Sequence, residues 1–417
     1  MEINAGDTAW VLMAAALVLF MTPGLALFYG GMVRVKNVLG MLMQNFFAMG
    51  LIGVLWAVAG FSLAFGDGGG FIGNFNFALM RNIHVLDADG GLVNKLPGLE
   101  FLTVPPVAFF AFQMMFAIIT PALITGATAD RLKFSGYAVF IALWSILVYS
   151  PVAHWVFSPT GWLFKRGALD FAGGTAIHIN AGIAALVVVA LIGHRRGHPH
   201  HPMLPHSLPL TLIGTGILWF GWFGFNAGSA LAANGQAAVA LVNTGLAASA
   251  AMLGWLAAER LAGGHATTLG AASGAVAGLV AITPCAGFVG GMSPIIIGAL
   301  AGVICFFAIG IKKALKLDDS LDVIAVHLVG GIVGSLLLGF FADKSATGFG
   351  ADGVFFGGGT TLLVNQTIAV VATLVFSAVV SFVIAKGVDL TIGLRVDEES
   401  EDVGLDVSQH AETAYTT

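Results

Sequence analysis

Charged residues are scarce in this chain, because Asp, Glu, Lys and Arg make up only 9% of its 417 residues. Soluble domains carry about 25% charged residues, so this sequence cannot cover itself with a wetted surface. Its two cysteines, Cys285 and Cys305, both lie in apolar runs, which argues against a disulfide framework and against a thiolate metal site. The formal net charge of −5 argues against binding to nucleic acid.

Long hydrophobic runs take the place of the missing charge. The chain is 58% hydrophobic with a mean hydropathy of +0.93. We therefore expect an all-α polytopic membrane protein, because helices and closed barrels alone satisfy backbone groups in lipid. The opening "MEINAGDTAWVLMAAALVLF" lacks the basic start of a signal peptide and leads directly into a first span. Eleven runs are long enough to span a bilayer: 8–30, 38–65, 101–127, 135–157, 173–193, 207–228, 236–258, 268–289, 294–314, 322–342 and 361–386.

Basic residues orient these spans, because Lys and Arg are enriched in cytoplasmic loops. One side of the membrane receives twelve of the 17 basic residues and the other side receives five. This bias places the N-terminus outside and the C-terminus in the cytoplasm, in agreement with an odd number of spans. We expect a transmembrane domain over 1–390 and a cytoplasmic tail over 391–417. Glycines and other small residues inside the spans indicate closely packed helices.

Two histidines lie well inside apolar spans, five spans apart. His178 follows Asp170 by eight residues, and His327 follows Asp322 by five. Spans five apart face opposite ways in the membrane, so the pattern indicates a five-plus-five inverted repeat with one extra helix. Such repeats place the functional site near the midplane at their interface.

The histidines admit several interpretations. Ionisable groups within spans are rare and usually face a cavity or the bundle interior, which favours a paired site over two separate core histidines. A pair of neutral imidazoles could bind a small polar solute or relay a proton. Haem ligation by both rings is an alternative, although nothing else in the sequence indicates redox chemistry. No nucleophile and base stand together as in a hydrolytic enzyme, and we expect no enzyme activity and no cofactor.

Aromatic and polar residues in three further segments are candidates for a cation site. In "ILWFGWFGFNAGSA", Phe225 and Ser229 are four residues apart and share a helix face, whereas an interfacial aromatic belt is the alternative. Phe116 in "AFQMMFAIIT" is, on its own, a core residue. Asp170 precedes the fifth span. It can serve as a helix N-cap, as a buried anion below a cation site, or as both.

Two polar segments lie outside the spans. The segment "GHRRGHPHHPMLPH", 193–206, has five histidines, but no carboxylate or thiolate accompanies them, so we expect a solvated loop rather than a metal site. The acidic tail "GLRVDEESEDVGLDVSQHAETAYTT" is typical of a disordered segment, with a docking role as the alternative.

Taken together, these segments resemble the ammonium transporter (Amt/Mep/Rh) family, on its bacterial ammonium-channel side. The resemblance covers essentially the whole chain in order. It rests on "FMTPGLALFYGGMVRVKNVL", "FQMMFA", "ALDFAGGTAIHINAG", "GWFGFNAGSA", "NTGLAASAAMLGW", "TPCAGFV", "DDSLDVIAVHLVGGIVG" and "GLRVDEE…GLDVSQHAE". The resemblance implies eleven helices, an outside N-terminus, and a homotrimer in the inner (cell) membrane with one path per subunit.

The resemblance also implies roles for individual residues. Phe116 and Phe225 match a stacked pair over the pore, and Ser229 matches the serine of an outer ammonium site. In the same way, Trp222 matches a tryptophan of the pore wall, Asp170 an aspartate below the outer site, and His178 and His327 the twin pore histidines.

One position departs from the family pattern. The family's outer site usually has a tryptophan in H-x-V-W, whereas this chain has "HWVFSPTGW". Phe157 takes the matching position, and Trp162 is the alternative that could reach back. A phenyl ring attracts a cation less strongly than indole does, so the affinity of the outer site is in question.

The expected function is transport of ammonium or ammonia, with methylammonium as an analogue. The hypothesis is that ammonium is captured outside, loses its proton near Asp170, and crosses as ammonia along His178 and His327. An ammonium sensor of the same fold that signals through its tail is the alternative. The short tail favours transport, with a PII-type signalling protein as the partner that the resemblance implies at the cytoplasmic face.

Overall fold

Eleven apolar helices form one bundle in the computed structural model, which describes residues 2–415. Ten of the helices in this range are long and apolar enough to cross a membrane, and Thr268–Ile282 is a shorter apolar helix. This confirms the all-α polytopic fold. In chain order the helices are α1 Ala5–Met32, α2 Val35–Phe65, α3 Pro106–Ile124, α4 Phe134–Arg166, α5 Gly174–Ile192, α6 Leu208–Ala230, α7 Gly235–Gly263, α8 Thr268–Ile282, α9 Ser293–Ala314, α10 Ile324–Phe341 and α11 Thr361–Thr391.

Several of the helices begin where a side chain can satisfy a free backbone N–H group. Asn4, Ser207 and Thr267 each accept a hydrogen bond from a backbone N–H in the first turn of α1, α6 and α8, respectively. Such caps stabilise a helix start by about 1 kcal/mol. The ends of these helices are therefore fixed by the sequence and not only by the thickness of the membrane.

The histidine-bearing helices α5 and α10 share an unusual start. Each opens with a wide π-helical turn, Gly174–Ile179 in α5 and Ile324–Val329 in α10, before continuing as an ordinary α-helix. Each π turn contains the histidine of its helix. Wide turns of this kind are rare and occur often at functional sites. The shared geometry agrees with an inverted repeat that relates the two helices.

Glycines let α5 and α10 cross closely beside the histidines. Gly182 follows His178 by four residues, and a Cβ atom placed there would lie 2.6 Å from the backbone nitrogen of Leu328. Gly331 follows His327 by four residues, and a Cβ atom there would lie 2.9 Å from Ile179. The close crossing therefore depends on glycine having no side chain at these two positions, as is usual where helices pack without a hydrophobic driving force.

We expect Gly182→Ala to destabilise the protein by about 1–3 kcal/mol, because the added methyl group must push α10 away from α5. The measurement is the thermal unfolding midpoint of the purified protein in detergent. Gly216→Ala in α6 is the matched control, because no atom lies within 4 Å of the Cβ position there. An unchanged midpoint in Gly182→Ala would show that the crossing tolerates a side chain.

The loops differ at the two ends of the bundle. One end carries the α2–α3 loop with a two-stranded antiparallel hairpin, β1 Val85–Leu86 and β2 Leu92–Val93, and the short helix Lys344–Thr347. His154 fastens this end, because its ring nitrogens contact the carbonyl oxygens of Ala64 and Gly69. Both ring nitrogens of this buried histidine are thus in contact with the protein backbone.

The C-terminal tail packs against the opposite end of the bundle as two short helices, α12 Glu398–Val403 and α13 Leu405–His410. The buried carboxylate of Glu401 accepts hydrogen bonds from the backbone of Arg196 and from the guanidinium of Arg395. The Asp406 carboxylate accepts one from the backbone N–H of Gly40. The described part of the tail is therefore folded onto the bundle, in contrast to the disordered segment that its composition indicates.

Candidate functional site

A wide vestibule opens into the bundle at the end that carries the β-hairpin. Its cavity volume is about 820 Å3. Four of the residues that the sequence singled out line it: Phe116 from α3, Phe157 from α4, Asp170 from the loop before α5, and Ser229 from α6. Helices from both halves of the chain therefore contribute to one site.

The vestibule has acceptor and aromatic groups suited to a cation. Ser229 donates its hydroxyl hydrogen to the carbonyl oxygen of Phe225, 2.9 Å away, so its lone pairs remain free to accept a hydrogen bond. Phe157 contributes its ring to the wall. Trp162 is not part of the wall, since it packs against Phe71 and Trp155 with ring centroids 5.9 and 5.7 Å apart. Of the two candidates for the missing tryptophan, the geometry brings Phe157 to the vestibule.

Asp170 organises the start of α5 at the floor of the vestibule. Its Oδ1 atom accepts hydrogen bonds from the backbone N–H groups of Gly173 and Gly174, 2.9 and 2.6 Å away. Its Oδ2 atom accepts from the backbone of Thr175 and Ala176 and from the Thr175 hydroxyl. A carboxylate offers about four lone-pair directions, so these bonds use its full capacity. Asp170 thus caps the start of α5 through both of its carboxyl oxygens.

Two phenylalanines separate the vestibule from the interior of the bundle. Phe116 and Phe225 are both almost completely buried, and their ring centroids lie 4.4 Å apart at an interplanar angle of 42°. Phe116 faces the vestibule, whereas Phe225 lines the cavity beyond. The two stacked rings therefore lie between the vestibule and the inner cavity.

A narrow cavity beyond the rings holds both histidines. Its volume of about 10 Å3 is close to the smallest space that holds one water molecule. His178 and His327 approach with their Nδ1 atoms 3.3 Å apart. Among residues 2–415, no protein group bonds to the Nε2 atom of His178. The other lining residues are aliphatic or aromatic: Met21, Leu25, Ile119, Leu123, Ile177, Leu218, Trp222, Phe225 and Val276.

Ring stacking fixes the orientation of the histidine pair. Trp222 stacks on His178 with centroids 5.4 Å apart and an angle of 18°. Trp222 is itself held by a hydrogen bond from Nε1 to the hydroxyl of Thr283, 2.9 Å away. The imidazole of His178 therefore has little freedom to turn, and Thr283 is a supporting residue that sequence reasoning did not find.

In the second repeat, the aspartate that corresponds to Asp170 is not the one that the sequence indicated. Asp319, not Asp322, occupies the place of Asp170, because its carboxylate accepts hydrogen bonds from the backbone N–H groups of Val323 and Ile324 at the start of α10. Asp322 instead pairs with Lys312 at 2.6 Å. Asp319 precedes His327 by eight residues, the same spacing as Asp170 and His178. That equal spacing was the signal in the sequence that could have identified it.

Comparison with known proteins shows which family shares this architecture. The model of the Ammonium Transporter Family matches residues 9–415. The chain belongs to the ammonium transporter family. An ammonium transporter of Mycobacterium tuberculosis is 49% identical over 99% of this chain and 90% of that protein, and one of Bacillus subtilis is 44% identical over 98% of each chain. The crystal structure of Saccharomyces cerevisiae Mep2 superimposes with a TM-score of 0.87 at 33% identity, covering 96% of this chain and 89% of Mep2.

Family membership and the apolar helices together show a multi-pass membrane transport protein.

At the end opposite the vestibule, this transporter-family chain has a buried ion-pair network. Arg195 binds Asp318 at 2.8 Å and Asp130 at 3.4 Å, and Arg34 binds Asp130 at 2.9 Å. Burial by itself raises the pKa of Asp318, but the hydrogen bonds and charge of Arg195 hold that pKa well below its usual range. Asp318 therefore stays ionised and ties the loop after α5 to the loop before α10.

The histidine-rich loop 193–206 lies over this network. His198 contacts Asp318 at 3.4 Å, His194 contacts the carbonyl oxygen of Lys316, and His206 contacts that of Val33. Within residues 2–415, no group of three or more His, Cys, Asp or Glu side chains is placed to hold a metal ion. His194, His198 and His206 therefore hold the loop against neighbouring segments, and His206 also contacts the hydroxyl of Tyr415.

Proposed function

We propose that the protein moves ammonium nitrogen across the membrane by capturing ammonium in the vestibule, removing its proton, and conducting ammonia past the paired histidines. The observation that carries the proposal is the narrow cavity beyond Phe116 and Phe225. There the unpartnered Nε2 atom of His178 is the polar group offered to a solute in an otherwise apolar lining. Membership of the ammonium transporter family supports the choice of solute.

The small size and the mostly apolar lining of the cavity favour the neutral species. Moving a bare monovalent ion into a low-dielectric interior costs on the order of tens of kcal/mol by Born estimates, which two neutral imidazoles cannot offset. Ammonia carries no net charge and is close to water in size, so it fits the cavity. Potassium cannot lose its charge by giving up a proton, so the same cavity excludes it.

The histidine pair has the hydrogen-bonding groups that ammonia needs. When the Nδ1 atom of one neutral ring donates to the Nδ1 atom of the other, the donor ring has a bare Nε2 atom and the acceptor ring has an Nε2–H group. Ammonia can donate to the first and accept from the second. We propose that His178 and His327 bind ammonia in this way and that the pair also offers a route for the released proton.

In the vestibule, the ring faces of Phe116 and Phe157 and the hydroxyl of Ser229 are the proposed ammonium contacts. A cation over an aromatic face is stabilised by about 0.5–1 kcal/mol at an accessible site, and tryptophan is the strongest partner. Methylammonium keeps a positive charge and three N–H groups, so it should enter the same vestibule. We propose that Trp222 lines the path below and that Asp170 draws the cation inward by its charge.

The phenyl ring at position 157 gives a direct test of capture. We expect Phe157→Trp to lower the half-saturating ammonium concentration about two- to fivefold, because indole attracts a cation more strongly than phenyl does. The measurement is labelled methylammonium uptake into proteoliposomes over a concentration series. Phe157→Leu is the matched control, which should raise the half-saturating concentration. Equal values in both variants would remove Phe157 from the capture site.

The transport proposal itself is tested by current in proteoliposomes on a solid-supported membrane after an ammonium concentration jump. A transient current that scales with ammonium and is absent with potassium would show that charge moves with the substrate. Uptake of labelled methylammonium without current would show that only the neutral species passes. Absence of both signals would overturn the proposal and favour a sensor, the alternative that the tail left open and that the comparisons do not favour.

We propose that the protein is a homotrimer in the inner (cell) membrane, with the N-terminus outside and the tail in the cytoplasm. The proposed orientation rests on the positive charge bias, and the proposed trimer rests on the family. The vestibule and the histidine cavity are built within one chain, so each subunit has its own path. The tail helices and the loop 193–206 form one surface at the proposed cytoplasmic end, joined by Arg196 and Glu401. We propose this surface as the docking place for a PII-type signalling protein.

A further inference from the structure

Gln113 of α3 lines the vestibule but plays no part in the capture site described above. It lies four residues after Phe109 and three before Phe116, and all three side chains face the cavity. Gln113 is 9% exposed, and its carbonyl oxygen Oε1 has no hydrogen-bond partner in the part of the chain that the structure describes. A buried polar group without a partner destabilises a protein unless a ligand or water binds it.

The other polar side chains of the vestibule wall are bonded within the protein. Asp7 accepts from Thr103 and from a backbone N–H, and the remaining ones each make at least one hydrogen bond to the backbone: Asp170, Ser229, Asn234 and Gln236. Gln113 differs from them, because its oxygen is left over after the helices have packed. The amide oxygen of Gln113 is therefore available to bind a molecule or ion that enters the cavity.

The amide can present its oxygen to the cavity at little cost. The last torsion of a glutamine side chain is soft and roughly two-fold, so half a turn exchanges the positions of Oε1 and Nε2. Which of the two atoms faces the vestibule therefore follows the ligand. A cation with N–H donors selects the oxygen, whereas an anion would select the nitrogen.

We propose that Gln113 is a positioning residue for ammonium, whose carbonyl oxygen accepts one N–H while the hydroxyl of Ser229 accepts another, holding the ion against the face of Phe116. The inference rests on the proposed transport function and adds a second hydrogen-bond acceptor to its capture site. Because an ammonium ion has four donors in tetrahedral directions, two acceptors on different helices fix its place above the phenylalanine pair. Gln113 acts on capture and not on passage, since it does not line the histidine cavity.

The test compares Gln113→Leu and Gln113→Glu by the concentration dependence of methylammonium uptake in proteoliposomes. We expect Gln113→Leu to raise the half-saturating concentration at least threefold with an unchanged maximal rate. Gln113→Glu keeps an acceptor and adds charge, so its half-saturating concentration should equal or fall below that of the parent. Gln44→Leu is the matched control, because the Gln44 oxygen is also buried without a partner but lines neither cavity.

Thermal unfolding separates positioning from a structural role. Leucine removes the unpartnered oxygen, so Gln113→Leu should unfold at or above the parent's midpoint without ammonium, and added ammonium should raise its midpoint less than it raises the parent's. A folded Gln113→Leu protein with the parent's half-saturating concentration overturns the proposal. If Gln113→Leu does not fold, a raised half-saturating concentration in Gln113→Glu overturns it. Lack of ammonium transport by the parent protein would instead refute the proposed function.

Discussion

Removing both imidazoles in the double variant His178→Ala, His327→Ala is expected to lower ammonium-dependent transport at least tenfold. The residual flux should no longer prefer ammonium over potassium. The two rings carry the polar atoms of a cavity whose other walls are aliphatic or aromatic. Without them, ammonia has no hydrogen-bond partner on the way, and the released proton has no acceptor. The measurement is the ratio of ammonium to potassium signals on a solid-supported membrane, together with labelled methylammonium uptake.

The single variants distinguish a pair from two independent residues. Because the Nδ1 atoms of His178 and His327 contact each other, losing either ring leaves the other without its partner. Each single alanine variant should therefore lose nearly as much transport as the double variant, as groups that act as a unit do. His265→Ala, in the exposed turn between α7 and α8, is the control and should transport normally. Full ammonium selectivity in the double variant would contradict the mechanism.

The sequence predicts the bundle well because each membrane helix is apolar along its whole length. Eleven apolar stretches are visible without any contact information, and the spacing of His178 and His327 already indicates a two-fold relation. The pairing of Phe116 with Phe225 is different, because Phe116 lies in a run that is typical of ordinary core and the Phe225 segment is also typical of an interfacial aromatic belt. Only the resemblance to a family brought these two rings together before the structure did.

Other features depended on backbone geometry that composition does not encode. The segment "DDSLD" offers three aspartates before α10, and the position of the π turn decides that Asp319 rather than Asp322 caps it. The tail is acidic and polar, like a disordered segment, yet a few buried contacts of Glu401 and Asp406 hold it against the bundle. The unpartnered amide of Gln113 is visible only once its neighbours' hydrogen bonds are known.

Replacing Asp170 by asparagine is expected to lower methylammonium uptake at least tenfold. The carboxylate accepts from four successive backbone N–H groups, Gly173 to Ala176, and from the Thr175 hydroxyl. An amide of the same shape has one oxygen in place of two and turns an N–H₂ group toward these donors. The variant therefore loses the negative charge at the vestibule floor and also loses part of the helix cap that positions His178.

A second capping aspartate separates the charge effect from a general loss of caps. Asp343 lies at the same end of the bundle, and its carboxylate accepts from the backbone N–H of Ala346 and from the hydroxyl of Ser345, but it does not line the vestibule. Asp343→Asn should lower the unfolding midpoint, since a lost cap costs about 1 kcal/mol, yet it should transport normally.

The saturated hydrogen bonding of Asp170 also bears on how the proton leaves. Because both oxygens are occupied by donors, direct transfer of a proton from ammonium to Asp170 would break a cap bond at each cycle. We expect Asp170 to act through its fixed charge, with the proton passing toward His178 instead. Asp170→Glu tests this, since it keeps the charge but displaces the cap. Transport equal to that of the parent would show that charge alone suffices, whereas a loss as large as in Asp170→Asn would show that the geometry of the α5 start is the essential part.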